Sequence, residues 1–188
     1  QLAEALDYMH QQQLIHRDIK PANLILVNGR IKLADIGLVT EVASAGNAVS
    51  FLGTQGYLPP EGPGTPAADI YSFGKVLYEM ATGRRAFEGG SPASVAAAIL
   101  SSEPPSLTSL RPMTPPALER LVKRLLAKDP DERMESAHDV ALGLRDIVEG
   151  APDDSTAVTG QAPSLRRRLW PVVTMAAMKE LGLDPARI

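Results

Sequence analysis

Two short β-prone runs, Leu24-Ile25-Leu26-Val27 and Ile31-Lys32-Leu33-Ala34, are separated by Asn28-Gly29, and this arrangement constrains the fold more than any other feature. Asn-Gly tolerates the left-handed backbone of a tight turn and is the strongest two-residue hairpin signal. A hairpin here folds the chain back on itself. It carries Asp35-Ile36-Gly37, after the second run, beside His16-Arg17-Asp18-Ile19-Lys20-Pro21-Ala22-Asn23, before the first. Asp35 then lies near Asn23, and both can reach one metal ion.

The two segments hold a specific set of groups. Phosphoryl transfer from a nucleotide needs a carboxylate to accept the proton of the attacking hydroxyl. It needs a Lys to neutralise the moving phosphoryl group. It also needs an Asn and a second Asp to hold Mg²⁺ between the phosphates. Asp18, Lys20, Asn23 and Asp35 supply these groups in the required order. On these residues the chain resembles the catalytic lobe of the protein kinases, and the Ser/Thr branch in particular. Asp69-Ile70-Tyr71-Ser72-Phe73-Gly74-Lys75-Val76-Leu77-Tyr78-Glu79 is similar in style to the bacterial, eukaryotic-like members.

The resemblance implies a role for each matching residue. Asp18 is the catalytic base. Lys20 contacts the transferred phosphate and marks Ser/Thr specificity. Asn23 and Asp35 ligate Mg²⁺, with ATP as the phosphate donor. Gly53-Thr54-Gln55-Gly56-Tyr57 resembles the segment that receives the protein substrate, and Thr54 there bridges Asp18 and Lys20. Pro60-Glu61 completes the family's Ala-Pro-Glu signal, with Pro59 in the Ala place. Glu61 is expected to pair with Arg133, in Asp129-Pro130-Asp131-Glu132-Arg133. Asp69 is expected to start a buried helix and accept backbone donors from the catalytic loop. Arg17, beside the catalytic Asp, implies capture of a phosphate on Thr40, Ser44 or Ser50, although for any single one of these a solvent-facing hydroxyl is the simpler reading. His16 is expected to pack internally rather than transfer protons. Asp35-Ile36-Gly37 departs from the family's Asp-Phe-Gly by losing an aromatic ring.

The rest of the chain reads as a helical body. Leu2, Ala5, Leu6 and Met9 recur at helical spacing over residues 2–9. Residues 38–56 are polar and small and read as a long loop. Residues 67–82 form a helix whose Ile70, Phe73, Val76, Leu77, Met80 and Ala81 nearly encircle it, which predicts burial, with Gly83 as its C-terminal cap. Ser91-Pro92 and Thr114-Pro115 both read as a cap followed by proline at the first helical position. Leu118, Leu121, Val122, Leu125 and Leu126 share one face. Ser136 with Asp139 resembles a capping box ahead of Val140, Leu144, Ile147 and Val148. The expected class is α+β, mainly α: a kinase-like large lobe over residues 1–149 with a small β-hairpin, and a flexible linker and tail over 150–188. Arg166-Arg167-Arg168 in that tail reads as a solvated segment.

Bulk properties narrow the partners. A net charge of −3 gives no global basic excess for nucleic acid. The absence of Cys excludes disulfides and zinc–thiolate sites and fits a cytoplasmic setting. The apolar run from Leu169 to Met178 is broken by Pro171 and is too short for a membrane span. The chain begins with Gln1, and only fifteen residues precede the catalytic run. The glycine-rich loop, the strand Lys and the adenine clamp of the small lobe are therefore expected outside these residues, with weak or no activity for the 188 residues alone. An uncovered apolar upper face would favour self-association. Two other readings are a non-enzymatic regulatory or binding module on a truncated kinase fold, and a small-molecule phosphotransferase. The substrate-segment match speaks against the second.

Overall fold

The hairpin forms as the Asn-Gly turn dictates. Strand β2 (Leu24–Val27) pairs antiparallel with β3 (Arg30–Leu33) in the register Leu24↔Leu33 to Val27↔Arg30. The two-residue connection places Asn28 at φ 50° and Gly29 at φ 74°, the left-handed pair that this kind of turn requires. Because Arg30 pairs with Val27, the second strand starts one residue earlier than its apolar run suggests.

The chain is represented by a computed structural model that describes residues 1–35, 40–41 and 55–150, with the backbone alone at 40, 41 and 55. Helix α1 (Leu2–Gln11) leads through a turn at Gln13 (φ 59°) into β1 (Leu14–Ile15). A second small ribbon joins β1 to β4 (Thr40–Glu41), in the register Leu14↔Glu41 and Ile15↔Thr40. This strand falls inside the stretch expected to be loop. Two residues carry no readable period, and only their distant partner makes them a strand.

Helix α2 (Pro66–Thr82) is the axle of the body. The Thr65 hydroxyl caps it by accepting from the Ala68 amide, Pro66 opens it, and Gly83 closes it at φ 74°. It is buried nearly all round. Ile70, Phe73 and Val76 pack into one cluster with Leu2, Leu6, Ile19, Leu125 and Val140. Tyr71 and Tyr78 pack into a second, with Phe87, Ile99, Leu107 and Leu118. Gly74 lets α5 (Pro116–Leu125) cross closely: a Cβ there would lie 2.7 Å from Leu125 Cβ.

Helix α3 (Pro92–Ser101) starts at a capping box of Ser91 and Ser94. The short α4 (Leu107–Leu110) was too brief to show a period. The expected Thr114-Pro115 cap is corrected. Pro115 is itself the residue before the first turn, extended at φ −58° and ψ 133°, and Pro116 opens α5 with no side-chain cap. A proline disfavours helical backbone in its predecessor, so Pro116 delays the helix by one residue. Ser136 caps α6 (Ala137–Glu149) through the Asp139 amide, and Gly150 ends it at φ 72°. Val148, expected on the apolar face, is largely exposed in the last turn.

The described residues are thus mostly helical, with two small antiparallel ribbons. Among them no helix is long and apolar enough to cross a membrane. Residues 151–188, with the arginine triplet and Trp170, lie outside the described residues.

Candidate active site

The site is assembled by one buried carboxylate. Asp69, in the first turn of α2, accepts the amide of His16 on Oδ2 at 2.8 Å and that of Arg17 on Oδ1 at 2.9 Å. His10 Nε2, at the end of α1, lies 3.0 Å from Oδ2. Asp69 is 1% exposed, and a charge so buried needs this full set of partners. Its two amide contacts hold Arg17 in the left-handed region at φ 70°, a conformation that a non-glycine residue keeps only when its surroundings enforce it.

His16 is completely buried and acts as a strut. Its Nε2 lies 3.1 Å from the Ala34 carbonyl. A carbonyl only accepts, so Nε2 carries the hydrogen. Nδ1 then accepts from the Asp18 amide, at 3.3 Å. The ring therefore joins the backbone of the catalytic run to the residue just before Asp35.

Asp18, Lys20 and Asn23 meet at one oxygen. Lys20 Nζ donates to Asp18 Oδ2 at 2.6 Å, and Asn23 Nδ2 donates to the same atom at 3.1 Å. Asn23 Nδ2 also donates to the Asp18 carbonyl at 2.7 Å. Pro21–Asn23 form a single 3₁₀ turn, which brings Asn23 back over Asp18. The Asn23 carbonyl accepts the Ala34 amide at 2.8 Å. That bond extends the hairpin ladder by one step and places Asp35 next along, exposed, at φ 61°.

These residues suit a small hard cation. Both Asn23 amide hydrogens are directed at Asp18, which leaves Oδ1 as the ligand-capable atom, and Asp35 adds a carboxylate. Mg²⁺ is commonly held by one or two such oxygens together with substrate phosphates and water. No cluster of three or more His, Cys, Asp or Glu that could hold a metal occurs among the described residues.

Farther from the hairpin, Glu61 and Arg133 meet in a two-pronged ion pair, Nη1 to Oε1 at 2.5 Å and Nη2 to Oε2 at 2.8 Å. Of the remaining expected residues, Thr54, Ser44, Ser50, Ile36 and Gly37 lie outside the described residues. Thr40 is described as backbone only. The Arg17 Nε and one terminal nitrogen are buried with no hydrogen-bond partner among the described residues.

Several contacts around the site were not anticipated. His10 reaching Asp69 is one. Tyr57 donates to Glu79, and the Ser72 hydroxyl lies 2.8 Å from the Tyr57 carbonyl. Lys75 is 2% exposed. Burial is the main reason its amine is pushed down to about 7, with the nearby Lys128 and Arg133 charges adding to the shift. The signal available in the sequence was a lone cation inside a helix apolar on most sides.

Residues 1–141 match the protein kinase domain family, and the chain belongs to that family. Its relatives include the serine/threonine-protein kinases PkaA of Streptomyces coelicolor, PrkC of Bacillus subtilis and PknB of Mycolicibacterium smegmatis. They are 40%, 38% and 37% identical over 80%, 77% and 83% of this chain. The chain spans about a quarter of the length of these curated relatives (28%, 24% and 27%).

Proposed function

We propose that this chain is the large lobe of a serine/threonine protein kinase and that it provides the catalytic and substrate-holding half of an ATP-dependent phosphoryl transfer to protein hydroxyls. The observation that carries this reading is the convergence of Lys20 and Asn23 on Asp18 Oδ2, with Asp35 held alongside by the hairpin ladder.

Asp18 is oriented to accept the proton of an incoming Ser or Thr hydroxyl. Lys20 steadies the carboxylate and offers its charge to the phosphoryl group in flight. Asn23 and Asp35 would hold Mg²⁺, which when bound with ATP neutralises the phosphate oxygens. Thr54 is assigned to the bridge between Asp18 and Lys20. The segment that ends at Glu61 is assigned to the polypeptide substrate, with Glu61 and Arg133 anchoring its far end and Asp69 anchoring the catalytic loop. Arg17, with two buried nitrogens that have no partner among the described residues, suits capture of a phosphate on the loop that carries Thr40, Ser44 and Ser50. Nucleotide-holding elements are assigned to sequence outside these 188 residues, which alone are expected to transfer weakly or not at all, in a cytoplasmic setting. Ile25, Leu26 and Val27 are exposed apolar residues on one strand and support self-association of these residues in isolation.

The test is label transfer from ATP with Mg²⁺ by the complete reading frame that carries this chain. Label on Ser or Thr is expected, falling by about 10²- to 10⁴-fold in Asp18→Asn. No label and no ATP binding in either protein would favour the non-enzymatic regulatory module instead.

A further inference from the structure

One face of α2 grips three consecutive carbonyls of the segment before Pro59. Lys75 Nζ donates to the Leu58 carbonyl at 2.8 Å and to the Gly56 carbonyl at 3.3 Å. Ser72 takes the Tyr57 carbonyl between them, and Glu79 accepts from the Tyr57 hydroxyl. Residues 72, 75 and 79 are three and four apart, so they form one stripe on the helix. The segment cannot supply these contacts itself. It is a single 3₁₀ turn, Gln55–Tyr57, running into Pro59-Pro60, which has no amide hydrogens to give.

Lys75 is an expensive way to fill its place. None of the described ion pairs includes it. Its ammonium lies 4.8 Å from the Tyr71 ring centre and 5.4 Å from that of Phe87. Each ring also has a second cation close by: Arg133 stands 4.7 Å from the Tyr71 ring centre, and Lys128 4.1 Å from that of Phe87. Near two aromatic rings an apolar chain such as Met would pack without the cost of burying an ammonium. What Met cannot do is hold two carbonyls two positions apart.

We propose that Lys75 is a positioning residue for the acceptor polypeptide: by drawing the Gly56 and Leu58 carbonyls onto α2, it sets the backbone against which the substrate lies beside the acceptor hydroxyl. This inference rests on the kinase reading above, because that reading makes the segment the substrate platform. It adds a residue to the platform that does not itself touch substrate. A neutral amine keeps two hydrogens but loses the charge that strengthens both bonds and both ring contacts. The grip therefore weakens as Lys75 loses its proton. The other groups facing it bear mainly on where that happens: the Lys128 and Arg133 cations lower the transition, Glu61 raises it, and the Tyr71 hydroxyl is held neutral by burial.

The experiment uses the complete reading frame and a Thr-centred peptide chosen from a degenerate library on the unmodified protein. Binding of the fluorescein-labelled peptide is read by anisotropy, alongside steady-state kinetics and thermal melts. In Lys75→Met, peptide Kd and KM should rise about tenfold, the order expected from losing charged hydrogen bonds. The kcat and the KM for ATP should stay within about twofold, and the melting temperature should be equal or higher. Lys75→Arg, which stays charged, should restore most of the peptide affinity. In the unmodified protein, peptide Kd should weaken between pH 6 and 8.5, and in Lys75→Arg and Lys75→Met it should not. Equal peptide Kd in the unmodified protein and Lys75→Met overturns the inference. So does a Lys75→Met protein that melts lower or loses kcat together with affinity, since that is a structural role. Peptide binding without phosphate transfer, still sensitive to Lys75, would refute the kinase reading and leave this inference standing; no peptide binding at all refutes both.

Discussion

Replacing Arg133 with Met should be among the most destabilising single changes outside the hydrophobic clusters. The Arg133 side chain is fully buried, and Glu61 is 24% exposed. Besides the two-pronged pair with Glu61, the guanidinium donates to the carbonyls of Ala127 at 2.8 Å, Ala67 at 3.0 Å and Lys128 at 3.1 Å. It thereby joins the start of α2, the end of α5 and the turn at Pro130–Glu132 at a single point. Met fills much of the volume, so the loss is polar rather than a cavity. Removing one partner of a buried pair costs about 3–5 kcal/mol. Partial exposure lets water take over part of the Glu61 carboxylate, which favours the lower half of that range. The lost bonds to the three carbonyls are part of that cost and keep it from falling below the range. About 3–4 kcal/mol is expected, or a fall of roughly 6–15 °C in melting temperature for a domain of this size. Glu61→Gln keeps an acceptor oxygen and should cost about 1–2 kcal/mol. The double variant should cost less than the sum, because the two residues act as a pair. Urea titrations of the four proteins, followed by circular dichroism, measure all three quantities. A loss under about 1 kcal/mol for Arg133→Met, or strict additivity with Glu61→Gln, would refute the view that this pair locks the three elements together.

Gly74→Ala tests the close crossing of α2 and α5. The added Cβ would meet Leu125 Cβ at 2.7 Å and Leu126 Cδ2 at 3.1 Å. Overpacking costs about 1–3 kcal/mol and outweighs the roughly 1 kcal/mol that Ala gains in helix propensity; a variant as stable as the parent in urea would show that the helices move apart freely. Stability should also depend on pH through Lys75. Its amine sits near 7 in the folded protein and near 10.5 when unfolded. Between those values the unfolded chain holds a proton that the folded protein does not, so stability rises with pH from about 7 to about 10 and is flat below, by up to a few kcal/mol. Lys75→Met should remove that slope and be the more stable protein at pH 6. Parallel pH–stability curves for the two proteins would show that Lys75 keeps an ordinary affinity for its proton. Peptide affinity in the unmodified protein should run the opposite way with pH, which separates the two effects of one amine.

Local chemistry was legible in the order of residues. Asn28-Gly29 specifies a left-handed two-residue turn through side-chain sterics alone, so the hairpin and the approach of Asp35 to Asn23 needed no knowledge of the rest. Helices α2, α3 and α6 were legible for the same reason, since Ser91, Ser136 and Gly83 satisfy or end a helix through groups a few residues away. The start of α5 was misjudged by one residue because a second proline, Pro116, overrides the apparent cap. Among the residues of the site, Asp18, Lys20 and Asn23 were visible because six adjacent positions hold the whole arrangement and one 3₁₀ turn closes it. What only the tertiary structure decided lies at long range. The β1–β4 ribbon exists because two otherwise featureless residues meet partners twenty-five and twenty-seven positions away. His10 reaches Asp69 across fifty-nine positions, and Lys75 reaches the Gly56 and Leu58 carbonyls from a helix face that reads as core. A sequence pattern reports which residues turn inward. Whether a buried position adjoins other side chains or an uncapped row of carbonyls depends on the packing of elements distant in the chain, and that packing made Lys75 a donor to the backbone rather than an error in an apolar helix.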